Sequence, residues 1–335
     1  AGGPMYYIEM GLGKKWKPLA IAFALFGIMT AMLGSGTTTQ MNAIVSSVNA
    51  GFGVSTYITC AIVTVLVAII TFGGLQSISK TASKIVPAMA VIYFIITVIF
   101  LIMNASEVPH AVSQVITGAF NGTAAAGGFA GAGLMLTIRS GIARGLYSNE
   151  SGLGSAPIVA AAAKTKWPAE QGLISMTGTF IDTIIICTLT GLTIIVSGVW
   201  TGTTNGAEMT QSAFATTYGS LAPFILTISL PLFAFTPMIG WNYYGERCWE
   251  YLFGTKTIKL YRIGYIAILA SAVFLKLEAI WSLADIVNGL MAIPNLIALL
   301  GLSGVITAET KKYFNHLAIR DAKLKAYKAR RIGKK

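Results

Sequence analysis

Charged side chains are scarce in this sequence. Only 11% of its 335 residues are Asp, Glu, Lys or Arg, while 55% are hydrophobic and the mean hydropathy is +0.71. Soluble domains carry roughly 25% charged residues, so an ordinary water-soluble fold is excluded. Histidine and cysteine are also rare, at 2 and 3 residues, and no CxxC pair occurs. This leaves no zinc site or catalytic Cys/His arrangement, and we expect the cysteines to be free thiols inside helices.

Apolar stretches long enough to span a bilayer recur along the chain. A transmembrane helix needs about 20 mostly apolar residues to cross about 30 Å of hydrocarbon. Seven stretches are clear and one is less regular, so we expect an all-α polytopic membrane protein. The predicted spans are Pro18–Val48, Val54–Leu75, Ile85–Met103, the less regular Ala130–Ala163, Gly172–Val199, Ser220–Tyr243, Tyr261–Leu275 and Ala279–Ile306.

Basic residues outnumber acidic ones by 24 to 12, and their placement follows a pattern. If the spans alternate from a cytoplasmic N-terminus, the outer segments 104–128 and 201–217 contain no Lys or Arg, and only Lys276 falls on an outer turn. This is the positive-inside pattern, which argues for topology and against nucleic-acid binding. It predicts a transmembrane domain over residues 1–310 and a basic cytoplasmic tail over 311–335. We expect the tail to lie on anionic membrane lipids.

The most informative polar stretch is SNESGLGSAP at Ser148–Pro157, with apolar helix on both sides. Its glycines and proline weaken helical hydrogen bonding, while serines, Asn149 and Glu150 can bind what the backbone releases. Counting the 14 residues from Glu150 to Lys164 as helix, about 21 Å, puts this break near mid-bilayer. Non-helical backbone there predicts a broken helix that binds a solute. The alternative is a Gly/Ser-rich helix that packs closely on its neighbours.

Gln40 ends a second polar run, GSGTTTQ at residues 34–40, inside the first apolar stretch. Three adjacent threonines cannot all face lipid, and the glycines permit close helix approach. Gln40 offers both donor and acceptor groups for a zwitterion or a cation. In the alternative interpretation, the threonine hydroxyls donate to carbonyls of their own helix.

Ionisable residues inside a membrane are costly, so each one is a candidate for function. Asp182 lies near the middle of its span, where a structural pair and a coupling-ion ligand are both open interpretations. Arg139 and Arg144 lie outward of the break, where they line an outer mouth, pair with Glu150 or snorkel to the interface. Asp285 begins the last span, which favours an interfacial helix start.

Thr236 precedes Pro237 near the middle of the sixth predicted span. Proline removes one helical hydrogen bond and frees a carbonyl, so we expect an interruption of the helix here. Hard cations such as Na⁺ require several oxygen ligands, which Thr236 and free carbonyls would supply. The alternative is a simple proline kink.

Four segments carry a resemblance to a known family. They are GGPMYYIEMGLGKKW at residues 2–16, LYSNESGLGSAPIVAAAAK at 146–164, GTFIDTIIICT at 178–188 and PLFAFTPMIGWNYYGERCWEYLFG at 231–254. In this order, over nearly the whole chain, they closely resemble the alanine-or-glycine:cation symporters, also called the sodium:alanine symporter or amino-acid carrier family. Ser151 departs from the family's usual alanine, and Pro237 from its usual hydroxyl pair.

The resemblance implies a fold like that of the leucine transporter, with ten core helices in two inverted five-helix halves. Eight spans match core helices three to ten, so the first two core helices have no counterpart among these spans. By analogy the Ser148–Pro157 break lies in the sixth helix, Gln40 on the third, and Thr236 and Trp241 on the eighth. The implied substrate-binding residues, with Thr236 also at the sodium site, are Gln40, Ser148, Asn149, Gly152, Thr236 and Trp241.

These features predict a sodium-coupled secondary symporter of alanine or glycine in the cell membrane. Na⁺ is the expected co-transported ion, without an organic cofactor, and Glu150 and Asp182 are candidates for coupling. Two alternatives are an ion channel, which needs rings of filter ligands, and a membrane-embedded enzyme, which needs a signature such as HExxH or GxSxG. Neither pattern is evident, and no enzymatic reaction is expected.

Overall fold

A computed structural model describes residues 2–121, 130–202, 206–275 and 277–332. Lys276 and the last three tail residues therefore lie outside the described residues. Within these ranges every regular element is helical. The α-helices are α1 (Pro4–Tyr7), α2 (Lys17–Leu33), α3 (Thr38–Phe52), α4 (Thr56–Phe72), α5 (Gly74–Met103), α6 (Val108–Asn121), α7 (Ala130–Asn149), α8 (Ala156–Ala160), α9 (Pro168–Thr179), α10 (Thr188–Val196), α11 (Gly206–Tyr218), α12 (Ala222–Phe253), α13 (Ile258–Ser271), α14 (Leu277–Gly301) and α15 (Ser303–Ile332).

Six helical segments in the described residues are long and apolar enough to cross a membrane, which confirms a polytopic helical membrane protein. They correspond to six of the eight predicted spans. The second predicted span is the shorter apolar helix α4, and the fourth divides into α7, a break and α8. The arrangement of the helices as two inverted halves stays a prediction. The six segments are Lys14–Phe52, Gly74–Met103, Pro168–Val196, Glu208–Phe253, Thr255–Phe274 and Ile280–Gly301.

The 32-residue helix α12 lies at the centre of the packing and is continuous through Pro231 and Pro237. The expected interruption at Pro237 is therefore wrong. A proline in a helix deprives one carbonyl of its N–H partner, but the contacts of α12 with α2, α3 and α5 keep the remaining turns helical.

Glycines let α2 and α3 approach α12 closely. A Cβ on Gly27 would lie 2.7 Å from Cys248 Sγ, and one on Gly51 would lie 1.7 Å from Thr227 Oγ1. Gly27 of α2 meets Cys248 near the end of α12, whereas Gly51 near the end of α3 meets Thr227 near its start. The segment from α2 to α3 therefore runs antiparallel to α12. Small residues at such interfaces are how membrane helices pack without a hydrophobic driving force between them.

One end of α12 is held by a buried carboxylate. Glu246 is 4% exposed and accepts hydrogen bonds from Arg262 of α13 at 2.6 Å and from Arg247 at 2.5 Å. Arg262 also donates to the carbonyl of Phe72, the last residue of α4, at 3.3 Å. A buried charge is tolerated when it is paired and hydrogen-bonded, so this cluster joins α4, α12 and α13.

The basic C-terminal helix α15 begins before the predicted tail boundary and packs against α9. The ring of Trp167, just before α9, lies 4.9 Å from that of His316 and 6.0 Å from that of Tyr313. The start of the tail therefore rests on the protein. The predicted free thiols are confirmed, since Cys60, Cys187 and Cys248 are unpaired and lie in helices.

Candidate functional site

The predicted break is present between α7 and α8, where residues 150–155 are not helical. Glu150 has φ 55°, the only positive φ of a non-glycine residue among those described, while Gly152 and Gly154 have φ 79° and 93°. A left-handed conformation costs a residue with a Cβ roughly 1–2 kcal/mol. Strain of this kind persists only where the surroundings impose it, and it concentrates at functional sites.

The helical distance used to estimate the depth of the break is wrong. Helix α8 has only five residues and ends at Ala160, so the segment from Glu150 to Lys164 is mostly not helical. The position of the break follows instead from the residues that it faces in the tertiary structure. Glu150 lines the same cavity as Thr236 and Trp241, which lie near the middle of α12.

This cavity has a volume of about 730 Å³ and lies between the break and α12. Of the residues predicted from sequence, it brings together Glu150, Thr236 and Trp241. Its remaining wall comes from α5, α8 and α9 and is made largely of small and hydroxyl side chains. These include Ser79, Ser83, Ala160 and Ala163, and α9 adds the amide of Gln171.

The side chains of the break itself are used mainly to hold its shape. The buried Ser155 hydroxyl donates to Glu150 Oε2 at 2.6 Å, and Asn149 Oδ1 accepts the backbone N–H of Ser151 at 2.9 Å. The carbonyl of Gly152 accepts a hydrogen bond at 2.8 Å from Asn295 of α14. Asn149 and Gly152 do not line the cavity, so their role as substrate ligands stays a prediction.

Asp182 lies beside the end of α7 and not in the cavity. It belongs to a π-helical segment, Phe180–Cys187, between α9 and α10. Its carboxylate accepts hydrogen bonds from Ser148 of α7 and from Thr183, the latter at 3.3 Å. These contacts support the structural interpretation of Asp182, which anchors the last turn of α7 through Ser148.

The first polar run breaks the helix between α2 and α3, and its hydroxyls bind largely to their own chain. Thr37 and Thr38 donate to carbonyls of α2 at 2.5 and 3.1 Å, and Gln40 Nε2 donates to the carbonyl of Ser35 at 3.2 Å. Thr39 hydrogen-bonds with Tyr147 of α7 at 2.7 Å. The own-helix alternative therefore describes Thr37 and Thr38. Gln40 does not line the cavity, and its role in substrate binding stays a prediction.

Thr236 lies at the position where α12 lacks a backbone hydrogen bond. Its hydroxyl donates at 3.5 Å to the carbonyl of Phe233, the carbonyl that Pro237 leaves without an N–H donor. This pair supplies two of the several oxygens that a hard cation requires, and the role of Thr236 at a sodium site stays a prediction. Trp241 is 4% exposed and packs edge-on against Tyr244, with 5.3 Å between ring centroids, as a wall of the cavity.

The structure pairs Arg144 with Asp285, a contact that the sequence did not predict. Arg144 Nη2 of α7 lies 2.5 Å from Asp285 Oδ2 of α14, and the guanidinium lies 4.7 Å from the ring centroid of Trp281. Of the interpretations offered for Arg144, pairing with Glu150 is therefore wrong. Arg139 is exposed. The sequence contains one indication of this pair, since Arg144 and Asp285 are rare, opposite charges in apolar segments and both lie outward of the break.

Known proteins are similar to this chain in sequence over most of its length. The sodium:alanine symporter family matches residues 1–327. The sodium/alanine symporter AgcS of Methanococcus maripaludis is 44% identical over 332 residues, which are 96% of this chain and 71% of that protein. An uncharacterized transporter of Haemophilus influenzae is 52% identical over 95% of this chain and 70% of its own length. The probable sodium/glutamine symporter GlnT of Bacillus subtilis is 37% identical over 93% of this chain and 64% of its own length.

The family match, which covers residues 1–327, favours a symporter over the alternatives of a channel and an enzyme. It covers both helix breaks, the cavity wall on α12 and the Arg144–Asp285 pair, and the relatives with a named activity are symporters and not enzymes. The chain therefore belongs to the sodium:alanine symporter family, whose members are amino-acid:cation symporters.

Proposed function

We propose that this protein carries a small neutral amino acid, alanine or glycine, together with Na⁺ by alternating access. The observation that carries the proposal is the cavity that joins the broken helix at Glu150 to Thr236 and Trp241 in the middle of α12. Broken helices near the middle of a membrane are how many secondary transporters bind their substrates. The family assignment supplies the cation, which is cargo and not a resident cofactor.

The chemistry of the cavity supports a zwitterionic substrate with a cation. Thr236 and the freed Phe233 carbonyl are the proposed Na⁺ ligands, and the bound Na⁺ neutralises the substrate carboxylate. Glu150 supplies a negative charge for the ammonium group or for the cation. Because charges interact strongly in a medium of low dielectric constant, binding of Na⁺ and of the amino acid is expected to be linked and reciprocal.

The relatives and the lining residues bear on the size of the substrate. AgcS is named for alanine and GlnT for glutamine, so the family accommodates side chains of different length. In this chain the wall opposite α12 includes Ala156, Ala160 and Ala163, while Trp241 lies on α12 itself. We infer that Trp241 limits the length of the substrate side chain, which favours alanine or glycine.

The contrast between the cavity on one side of the second break and the ion pair on its other side supports alternating access. The cavity reaches Ser79, Ser83 and Ala163, and the last two adjoin Lys84 and Lys164, which the positive-inside pattern assigns to the cytoplasm together with the C-terminus. On the opposite side of the break, the Arg144–Asp285 pair joins α7 to α14. We propose that this conformation is open to the cytoplasm and closed to the outside.

Uptake of labelled alanine into proteoliposomes containing the intact protein tests the proposal. We expect uptake to require an inward Na⁺ gradient and to be lost when choline replaces Na⁺. Separate vesicles with a proton gradient in place of the Na⁺ gradient test coupling to protons. Equal alanine uptake in Na⁺ and choline would contradict sodium coupling.

Two threonine variants on the same helix test the sodium ligand. Thr236→Val removes the hydroxyl beside the cavity with little change in volume, so the Na⁺ concentration for half-maximal uptake should rise roughly tenfold. Thr227→Val is the matched control, because the Thr227 hydroxyl donates to the carbonyl of Ser47 at 3.2 Å, away from the cavity. An equal rise in both variants would remove Thr236 from the sodium site.

A further inference from the structure

Helix α14 carries two buried asparagines about two turns apart, and each one binds at a break in a different helix. Asn288 is 7% exposed, and its Nδ2 donates to Ser35 Oγ in the break between α2 and α3 at 2.8 Å. Asn295 is 2% exposed, and its Nδ2 donates to the carbonyl of Gly152 between α7 and α8 at 2.8 Å. At the break itself, Asn288 binds a side chain, whereas Asn295 binds a backbone carbonyl.

Both polar atoms of the Asn295 side-chain amide form hydrogen bonds. Its Oδ1 accepts a hydrogen bond from Tyr7 of α1, while its Nδ2 reaches Gly152. Without Nδ2, the Gly152 carbonyl would lose this donor in the protein interior, where an unpaired polar group is costly. Asn295 thus joins three parts of the chain that are far apart in sequence.

The loop is also fitted sterically against Asn295. A Cβ on Gly154 would lie 3.0 Å from Asn295 Cγ, so the loop approaches the amide as closely as a glycine permits. Gly152 is connected to Glu150 through a tight turn, in which the N–H of Leu153 donates to the Glu150 carbonyl at 3.2 Å. A shift of the Gly152 peptide would therefore be transmitted to the strained backbone of Glu150.

We propose that Asn295 is a positioning residue, which fixes the loop 150–155 and thereby orients Glu150 in the binding cavity. Asn295 does not line that cavity, so it acts through the loop and not on the ligand. As far as it concerns alanine and Na⁺, this inference rests on the proposed function. The loop-positioning role itself is independent of the identity of the substrate.

Leucine substitutions at the two asparagines separate positioning from simple stability. Leucine has nearly the shape of asparagine but neither donor nor acceptor. Asn295→Leu and Asn288→Leu therefore each remove the two hydrogen bonds of one asparagine without opening a large cavity. In the intact protein at saturating Na⁺, Asn295→Leu should raise the alanine Kd roughly tenfold, as loss of a buried hydrogen bond implies. Asn288→Leu should leave the Kd within about twofold of the unsubstituted protein, although both variants lose similar thermal stability.

Hydrogen exchange gives a readout that needs no substrate. Peptides covering residues 146–160 should exchange faster in Asn295→Leu than in the unsubstituted protein, and should not change in Asn288→Leu, because only Asn295 binds this loop. Equal exchange of this segment in both variants would overturn the positioning role. Equal Kd values in both variants, in a protein that does bind alanine, would overturn it as well.

Tyr7→Phe covers the case in which Asn295→Leu does not fold. This variant removes one of the two partners of Asn295 and keeps the bond to Gly152, so the alanine Kd should rise by roughly twofold to threefold and loop exchange should increase slightly. No change in either measurement would overturn the inference. If the unsubstituted protein shows no Na⁺-dependent alanine binding, the proposed function fails, and the exchange comparison still decides the role of Asn295.

Discussion

The first break, residues 34–37 between α2 and α3, and the second break, residues 150–155 between α7 and α8, satisfy their backbone in different ways. At the first, Thr37 and Thr38 donate to carbonyls of the helix they follow. At the second, the carbonyl of Gly152 is bound by Asn295, which lies 143 residues away in sequence. The carbonyl of Gly36 in the first break also accepts a hydrogen bond from Tyr265 of α13 at 2.8 Å. Both breaks are therefore bound by a distant helix, and the first has more hydrogen bonds from its own side chains.

This difference matches the surroundings of the two breaks. The first lies against α12, where a Cβ on Gly36 would be 2.5 Å from Trp241 Cβ, so the packing leaves no room for a side chain. The second borders the cavity and contains Glu150 in a left-handed conformation. We infer that the first break, packed against α12, serves as scaffold, while the second, beside the cavity, changes conformation in the proposed alternating access.

Replacement of Glu150 is expected to have the largest effect and to separate function from stability at the second break. Glu150→Gly removes the Cβ from a left-handed position, so the protein should be as stable as before or more stable by roughly 1 kcal/mol. Sodium-driven alanine uptake should nevertheless fall roughly 10- to 100-fold, because hydrogen bonds to a charged group contribute about 1.5–3 kcal/mol. Thermal unfolding and proteoliposome uptake measure the two effects.

Two further variants control this result. Glu150→Gln keeps the shape of the side chain and an acceptor for Ser155 but removes the charge. Unchanged alanine uptake by the Glu150→Gln variant would show that the charge is not needed. Gly152→Ala adds a Cβ at φ 79° and should destabilise the protein by roughly 1–2 kcal/mol. A loss of stability in Glu150→Gly would contradict the strain assigned to this position.

Charge reversal at Arg144 and Asp285 tests whether the outer half of the second broken helix is held by this pair. Arg144→Asp places two carboxylates together, and juxtaposed like charges cost several kcal/mol, so uptake should fall roughly tenfold or more. Asp285→Arg should have a similar effect. The double variant, Arg144→Asp with Asp285→Arg, restores opposite charges and should recover most of the uptake. Failure of the double variant to exceed either single variant would show that the pair does not act as a unit.

A methyl group at Gly36 tests the rigidity of the first break. In Gly36→Ala the new Cβ would lie 2.5 Å from Trp241 Cβ and 2.6 Å from the carbonyl oxygen of Ala31, so overpacking should destabilise the protein by roughly 1–3 kcal/mol. Gly289→Ala is the control, since no atom lies within 4 Å of its added Cβ, and a helical Gly→Ala change gains about 0.5–1 kcal/mol. Equal thermal midpoints in the two variants would show that the first break is not tightly packed.

Structural features that depend only on residues close in sequence could be predicted. The apolar spans follow from hydropathy, and the second break follows from its glycines, proline and polar side chains. The predicted helix from Glu150 to Lys164 is wrong, since α8 ends at Ala160. Local composition does not show where a short helix stops. At Pro237 the missing hydrogen bond was predicted correctly, but the interruption was not, since packing on α2, α3 and α5 keeps α12 helical.

Contacts between distant helices could not be predicted in this way. Asn295 lies in an apolar span beside Pro294, and nothing near it in sequence indicates that it binds Gly152. The pairing of Arg144 with Asp285 likewise depends on how α7 and α14 are placed side by side. Of the predicted site residues, Glu150, Thr236 and Trp241 meet at the cavity, whereas Gln40 and Ser148 bind neighbouring groups in the protein.

The smallest expected effect gives the sharpest comparison of the two breaks, because the same group is deleted from each. Thr38→Val removes a buried hydroxyl that donates to the carbonyl of Leu33 at 3.1 Å, and Ser155→Ala removes a buried hydroxyl that donates to Glu150 at 2.6 Å. Each loss should cost roughly 0.5–1.5 kcal/mol in the free energy of unfolding, or more where the acceptor is charged. The alanine Kd should stay unchanged in Thr38→Val and rise severalfold in Ser155→Ala, since only Ser155 holds a side chain of the cavity. Equal Kd values in the two variants would mean that both breaks are scaffold, and the proposed functional distinction between them would fail.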